Sequence, residues 1–193
     1  MSNVNQAVII YISAAGDLMV ERETLARMIA QLPVTLAWRI VQSPLEAEPV
    51  DLAALQTAAL HFLLMGEDIR APVGLEWQMA QYAGRNSQAY LKKGPARTPA
   101  GHSFIKEARA NWRLFKDAAQ LSRQVQQTVI DHLLTYQRHY ALTPLEVENL
   151  ETLQAEATTE QERSSDARQV DAGHSAVVLS RERYEPSEGI LIE

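Results

Sequence analysis

None of the 193 residues is cysteine. That excludes a disulfide framework, a thiolate nucleophile and any cysteine-ligated zinc. Long hydrophobic runs are missing too: the longest apolar stretches are about half of the roughly 20 residues a membrane span needs. Met1 to Gln6 lacks the basic segment that opens a signal peptide. There is no Gly-rich phosphate loop and no His-Glu-x-x-His pattern. His132 and His139 are seven residues apart, roughly 10 Å on a helix, too far to share an ion. The expectation is a soluble, cytoplasmic protein without a metal or cofactor.

What is present supports a packed core, with 46% hydrophobic and 22% charged residues. The net charge of −6 is unevenly spread: −4 over residues 1–91, +6 over 92–123, zero over 124–142 and −8 over 143–193. A basic segment thus lies between acidic ones.

Hydrophobic periodicity predicts alternating strands and helices in the first half. Residues 7–12, 35–41, 59–65 and 88–91 read as strands, the first and third as continuous apolar runs of the kind buried on both faces. Between them, Leu18, Leu25, Met28, Ile29 and Leu32 fall on one helical face, with Asp17 as a candidate N-cap. Asp51 can cap a short helix to about Thr57, and Pro72 suits the first turn of a helix reaching about Arg85. The order β-α-β-α-β-α-β implies right-handed crossovers and a parallel sheet covered on both faces. The predicted fold class is α/β, a flavodoxin-like doubly wound sheet of about four strands over residues 1–91.

Residues 92–156 read as a helical extension. A helical pattern dominates from Ser103 to about Tyr140, and Thr143-Pro144-Leu145-Glu146 forms a capping box that starts another helix. Residues 157–193 read as a flexible acidic tail, with apolar islands at 176–179 and 189–192 that could add a strand to a sheet edge.

In open parallel sheets, ligands sit at the carboxyl ends of the strands. Two polar loops leave that edge, Ser13–Asp17 and Gly66–Arg70. The second feeds a helix whose inward stripe is Val73, Glu76, Met79, Ala80 and Ala83. Glu76 therefore lies on an apolar face near a helix N-terminus, where a nucleophile or general base is expected. The bland alternatives are that Asp17 only caps its helix, that Glu76 forms a structural ion pair with Arg22 or Arg70, and that Glu21 and Arg22 decorate the first helical turn.

Tyr11-Ile12-Ser13-Ala14-Ala15-Gly16-Asp17-Leu18-Met19-Val20-Glu21-Arg22 resembles the opening of a bacterial TIR-like domain family of unknown function. That family starts with a strand, a Ser-containing loop and Asp-Leu-x-x-Glu-Arg. Leu63-Leu64-Met65-Gly66 and Gly74-Leu75-Glu76-Trp77-Gln78-Met79-Ala80 are similar to its strand-Gly and Glu-x-x-x-Ala elements. The resemblance covers about residues 7–91. Ala14 stands where the family usually has a second serine. The wider superfamily includes TIR domains and nucleoside deoxyribosyltransferases. The resemblance implies Glu76 as a catalytic carboxylate in N-glycosidic chemistry on NAD or a nucleoside, with Ser13, Asp17, Gly66 and Arg70 lining the pocket. It equally implies a signalling or defence-associated module that works by binding a protein partner or by self-assembly.

Lys106, Arg109, Arg113, Lys116 and Arg123 recur at helical spacing, with Phe104, Trp112 and Phe115 interleaved. This is read as one helix face. It is either a solvated face, a nucleic-acid contact, or a dock for the acidic segment after Thr143.

Overall fold

The computed structural model describes residues 7–44 and 48–172, with side chains followed to residue 157 and at Thr159. Five strands form the sheet: β1 (Val8–Ala14), β2 (Trp38–Gln42), β3 (Leu60–Met65), β4 (Ser87–Lys92) and β5 (Trp112–Phe115). Six α-helices accompany them: α1 (Met19–Ala30), α2 (Leu52–Thr57), α3 (Val73–Tyr82), α4 (Pro99–Glu107), α5 (Ala118–Thr135) and α6 (Pro144–Ala172). All strand pairs are parallel, in the order β2-β1-β3-β4-β5. This is the doubly wound, flavodoxin-like order, and its switch point lies between β1 and β3.

Alternation along each strand sorts the core into two layers. Ile10, Ile12, Leu60, Phe62, Leu64 and Tyr90 face α1 and α5, where they meet Leu25, Ile29, Leu121, Val125 and Val129. Tyr11, Leu63 and Ala89 point to the other side, against Ala54 and Leu55 of α2 and Val73, Trp77 and Ala80 of α3. The expected inner face of α1 is borne out: Leu18, Leu25 and Ile29 are fully buried and Leu32 nearly so.

The helical reading of residues 103–140 needs correction. The chain leaves α4 at Ala108, Arg109 takes a left-handed backbone (φ 48°), and Trp112–Phe115 joins the sheet beside β4. Helical and strand periods overlap over so short a run, and the free edge of β4 settles the choice. Phe115 and Trp112 alternate across the strand, the first into the α5 layer and the second against Phe104. The sheet therefore continues past residue 91.

The capping box at Thr143 is present. The amide and hydroxyl of Thr143 donate to Glu146 Oε2 at 2.7 and 2.8 Å, and the Glu146 amide returns a 3.3 Å bond to Thr143 Oγ1. Glu146 also accepts from Thr35, which leads into β2, so the start of α6 is tied to the sheet.

The chain divides into two units, Met1–Ala157 and Thr158–Glu193. In the second, the backbone is helical to Ala172, through the stretch whose composition reads as a linker. Gln, Glu, Arg and Ala are good helix formers, and a low apolar content does not oppose a helix. The apolar islands at 176–179 and 189–192 lie outside the described residues. Among the described residues, no helix is long and apolar enough to cross a membrane.

Candidate functional site

Glu76 sits one turn into α3, its amide bonded to the carbonyl of Pro72 at 3.0 Å. Its place on the inner stripe drives the side chain into the layer between α3 and the sheet, where it has no solvent exposure. Both carboxylate oxygens are satisfied there. The Tyr11 hydroxyl, from the middle of β1, donates to Oε1 at 2.8 Å. The Ser43 hydroxyl, just past β2, donates to Oε2 and accepts from the Ala14 amide at 3.2 Å. Burial, then the charge of Glu76, raises the Tyr11 phenol well above its ordinary range.

Arg22 completes this group from α1. It is buried, and its guanidinium donates to the Gln42 side chain at 3.1 Å and to the carbonyls of Ala14 and Ser43. It makes no direct ion pair with Glu76; Ser43 bridges the two, donating to the carboxylate through its hydroxyl and accepting from the guanidinium through its carbonyl. Burial lowers the Arg22 pKa, and the nearby charge of Glu76 opposes that shift. Glu21 is buried as well, and pairs with Lys92 at the end of β4 at 2.7 Å. Neither residue decorates the surface, because the first turn of α1 crosses the carboxyl ends of the strands instead of pointing to solvent.

A second buried chain runs beside the first. Ser13 Oγ lies 2.9 Å from His61 Nε2, and His61 Nδ1 lies 3.0 Å from Ser87 Oγ. His61 is packed between Tyr11 and Trp77, with ring centroids at 6.0 and 6.1 Å. Burial pushes its pKa down to about 4, so the ring is neutral at pH 7. One nitrogen then donates and the other accepts, which two hydroxyls can satisfy in either tautomer.

At the switch point, Asp17 belongs to a 3-10 turn (Gly16–Leu18) that precedes α1 and caps neither element. Its carboxylate reaches across to the loop after β3 and accepts from the Glu67 amide at 2.8 Å. Gly66 makes this approach feasible: a Cβ there would stand 2.1 Å from Asp17 Oδ2. The N-cap expectation for Asp17 is thus corrected, since the turn carries the carboxylate away from the helix amides.

The predicted site residues therefore separate into groups. Asp17 and Gly66 come together. Glu76 is joined by Tyr11, Ser43 and Arg22. Ser13 is buried on His61. Arg70 is exposed and makes no ion pair among the described residues. Sequence reasoning missed Tyr11, Ser43, His61 and Ser87. Two of them interrupt apolar strands, and the two-residue period puts Tyr11 and Ser13 on one face of β1, a signal that was there to be used.

The five basic residues do not share a helix face. Lys106 is in α4, Arg109 follows it, Arg113 is in β5, Lys116 follows that strand and Arg123 is in α5. The strand at 112–115 breaks the helical register on which the single face depended. All five are nevertheless exposed. Among the described residues, no group of three or more His, Asp or Glu is placed to hold a metal ion.

Comparison with protein-family models finds no match, and neither does comparison with curated proteins.

Proposed function

We propose that this chain is a TIR-like module that works by binding and assembly, in the cytoplasm, with Glu76 as a structural residue. The observation that carries this reading is the closure of Glu76: a carboxylate with no exposure and both oxygens held by hydroxyls offers no approach to a substrate. The Asp17 clasp on the Gly66–Glu67 backbone supports it. That clasp occupies the crevice where ligands of doubly wound sheets usually sit, and it places acidic groups where a phosphate would have to bind. The doubly wound order agrees with the resemblance of residues 7–91 to TIR-like domains, and signalling or bacterial defence is the setting that resemblance suggests.

The alternative is an NAD or nucleoside N-glycosidase or transferase using Glu76. One experiment separates the two. NAD and nucleoside turnover is measured for the full chain and for Glu76→Gln at matched folding, alongside mass by light scattering. Binding and assembly predict no turnover in either protein and a mass above 21.6 kDa. Turnover that disappears in Glu76→Gln would establish the enzyme and remove the proposal.

A further inference from the structure

The break of the predicted helix at β5 has gathered the basic segment around one edge of the sheet. β5 is the terminal strand, with α4 before it and α5 after it. Lys106 is in the last turn of α4, Arg109 stands in the connection, Arg113 is on the strand, Lys116 follows it and Arg123 is in the second turn of α5. Lys93, next to β4, adds a sixth exposed cation. Among the described residues, the two ion pairs are Arg39–Asp51 and Lys92–Glu21, and neither involves any of these six. Of the two acidic residues in the same segment, Asp117 caps α5 through the Gln120 amide, and Glu107, at the end of α4, is exposed. The outcome is a cationic edge on a protein of net charge −6.

The strand itself is poorly suited to adding another strand. It is four residues long, and the Leu114 carbonyl already accepts from the Gln124 side chain at 3.1 Å. What the edge offers is six exposed cations against two carboxylates, half of the cations arginine, whose planar fork matches phosphate oxygens. Arg113 is held by a 3.0 Å bond from its guanidinium to Thr128, which fixes where part of that charge stands. Among the described residues, a single large exposed apolar side chain, Leu114, lies in this region, too little for insertion into a bilayer.

We propose that the α4–β5–α5 edge binds nucleic acid through its phosphate backbone, without reading sequence. The density of unpaired cations is the feature that recognises it. This surface is separate from the Glu76 network, so it stands whether or not the reading of Glu76 holds.

The test is fluorescence anisotropy of the full chain with labelled single- and double-stranded DNA and RNA of mixed sequence. Anionic phospholipid vesicles and polyglutamate serve as competitors. The expected result is binding at 50 mM salt that weakens about fiftyfold or more by 200 mM, as release of about four to six counterions requires. R109E/R113E should cut affinity at least tenfold at an unchanged melting temperature. R39E, on β2 at the opposite edge, should leave affinity within twofold. No binding at 50 mM salt would overturn the proposal. So would equal loss in R39E, or displacement by vesicles or polyglutamate at charge concentrations equal to the nucleic acid, which would assign the edge to a membrane or an acidic protein.

Discussion

The Tyr11 hydroxyl donates to Glu76 Oε1 at 2.8 Å, joining the middle of β1 to the first turns of α3. With Ser43 on the other oxygen, this makes Glu76 a fastener between sheet and helix. Removing the side chain strands two buried hydroxyls and leaves Arg22 without its nearest counter-charge. Glu76→Ala is expected to cost about 3–5 kcal/mol, the range for breaking a buried charged network. Glu76→Gln keeps the shape and one acceptor and should cost about 1–2 kcal/mol. Urea denaturation of both variants checks the order. A residue kept only for chemistry would tolerate either change.

Gly66 and Asp17 are expected to be coupled. Gly66→Ala forces a methyl into the Asp17 carboxylate and should destabilise by about 1–3 kcal/mol. Asp17→Ala loses one hydrogen bond to the Glu67 amide and should cost about 1 kcal/mol. The double variant should be more stable than the sum of the two predicts, because the second change removes the clash made by the first. A denaturation cycle with additive costs would contradict the close approach.

His61 makes the fold sensitive to mild acid. Its pKa is about 4 in the folded chain against an ordinary 6.5. Between those values the unfolded chain binds a proton that the folded chain does not. Stability is therefore complete above pH 6.5 and declines as the pH falls towards 4. From pH 7 to pH 5 the loss should be about 2 kcal/mol. His132 is also lowered by burial and by His139 and adds to the same window, so His61→Asn should flatten the slope without abolishing it.

Glu146 acts in a lower range. Four donors from Thr35 and Thr143 converge on it, and the backbone bonds hold its carboxyl at about 2. Its contribution is complete above the ordinary value of 4.5 and is lost as the pH falls to about 2. Glu146→Gln should cost about 1–2 kcal/mol at pH 7. At pH 2.5 the variant and the parent should differ by less than half of that, measured by denaturant midpoint.

Much of the frame was legible because β1 and β3 are continuous apolar runs between clear breakers, and α1 keeps a regular buried face. The capping box at Thr143 was legible because its chemistry is local. β5 was not: four residues are too few to separate a two-residue from a helical period, and what selects the strand is the open edge of β4, far off in sequence. Glu76 was correctly placed on the inner face of its helix. Its partners were hidden because Tyr11 and Ser43 come from positions 65 and 33 residues away, and nothing local announces that hydroxyls, instead of a ligand, would fill the corner. Asp17 looked like a cap because caps are the commonest use of that residue. The neighbouring Gly66, read as a pocket-lining residue, marked the closer relationship: the absence of a Cβ lets the Asp17 carboxylate approach.

The layer between the sheet and α1 is closed by Leu121, Val125, Val129, Leu133 and Leu150, all contributed late in the chain. A nascent polypeptide that has emerged only as far as Lys92 holds four strands and three helices, yet Ile10, Ile12, Leu25 and Ile29 still lack that cover. Biosynthesis thus passes through an interval in which one side of the sheet is adhesive, and a fragment cut at residue 91 would be arrested there. The segment that carries the family resemblance is, on these grounds, not the smallest piece that will stay in solution.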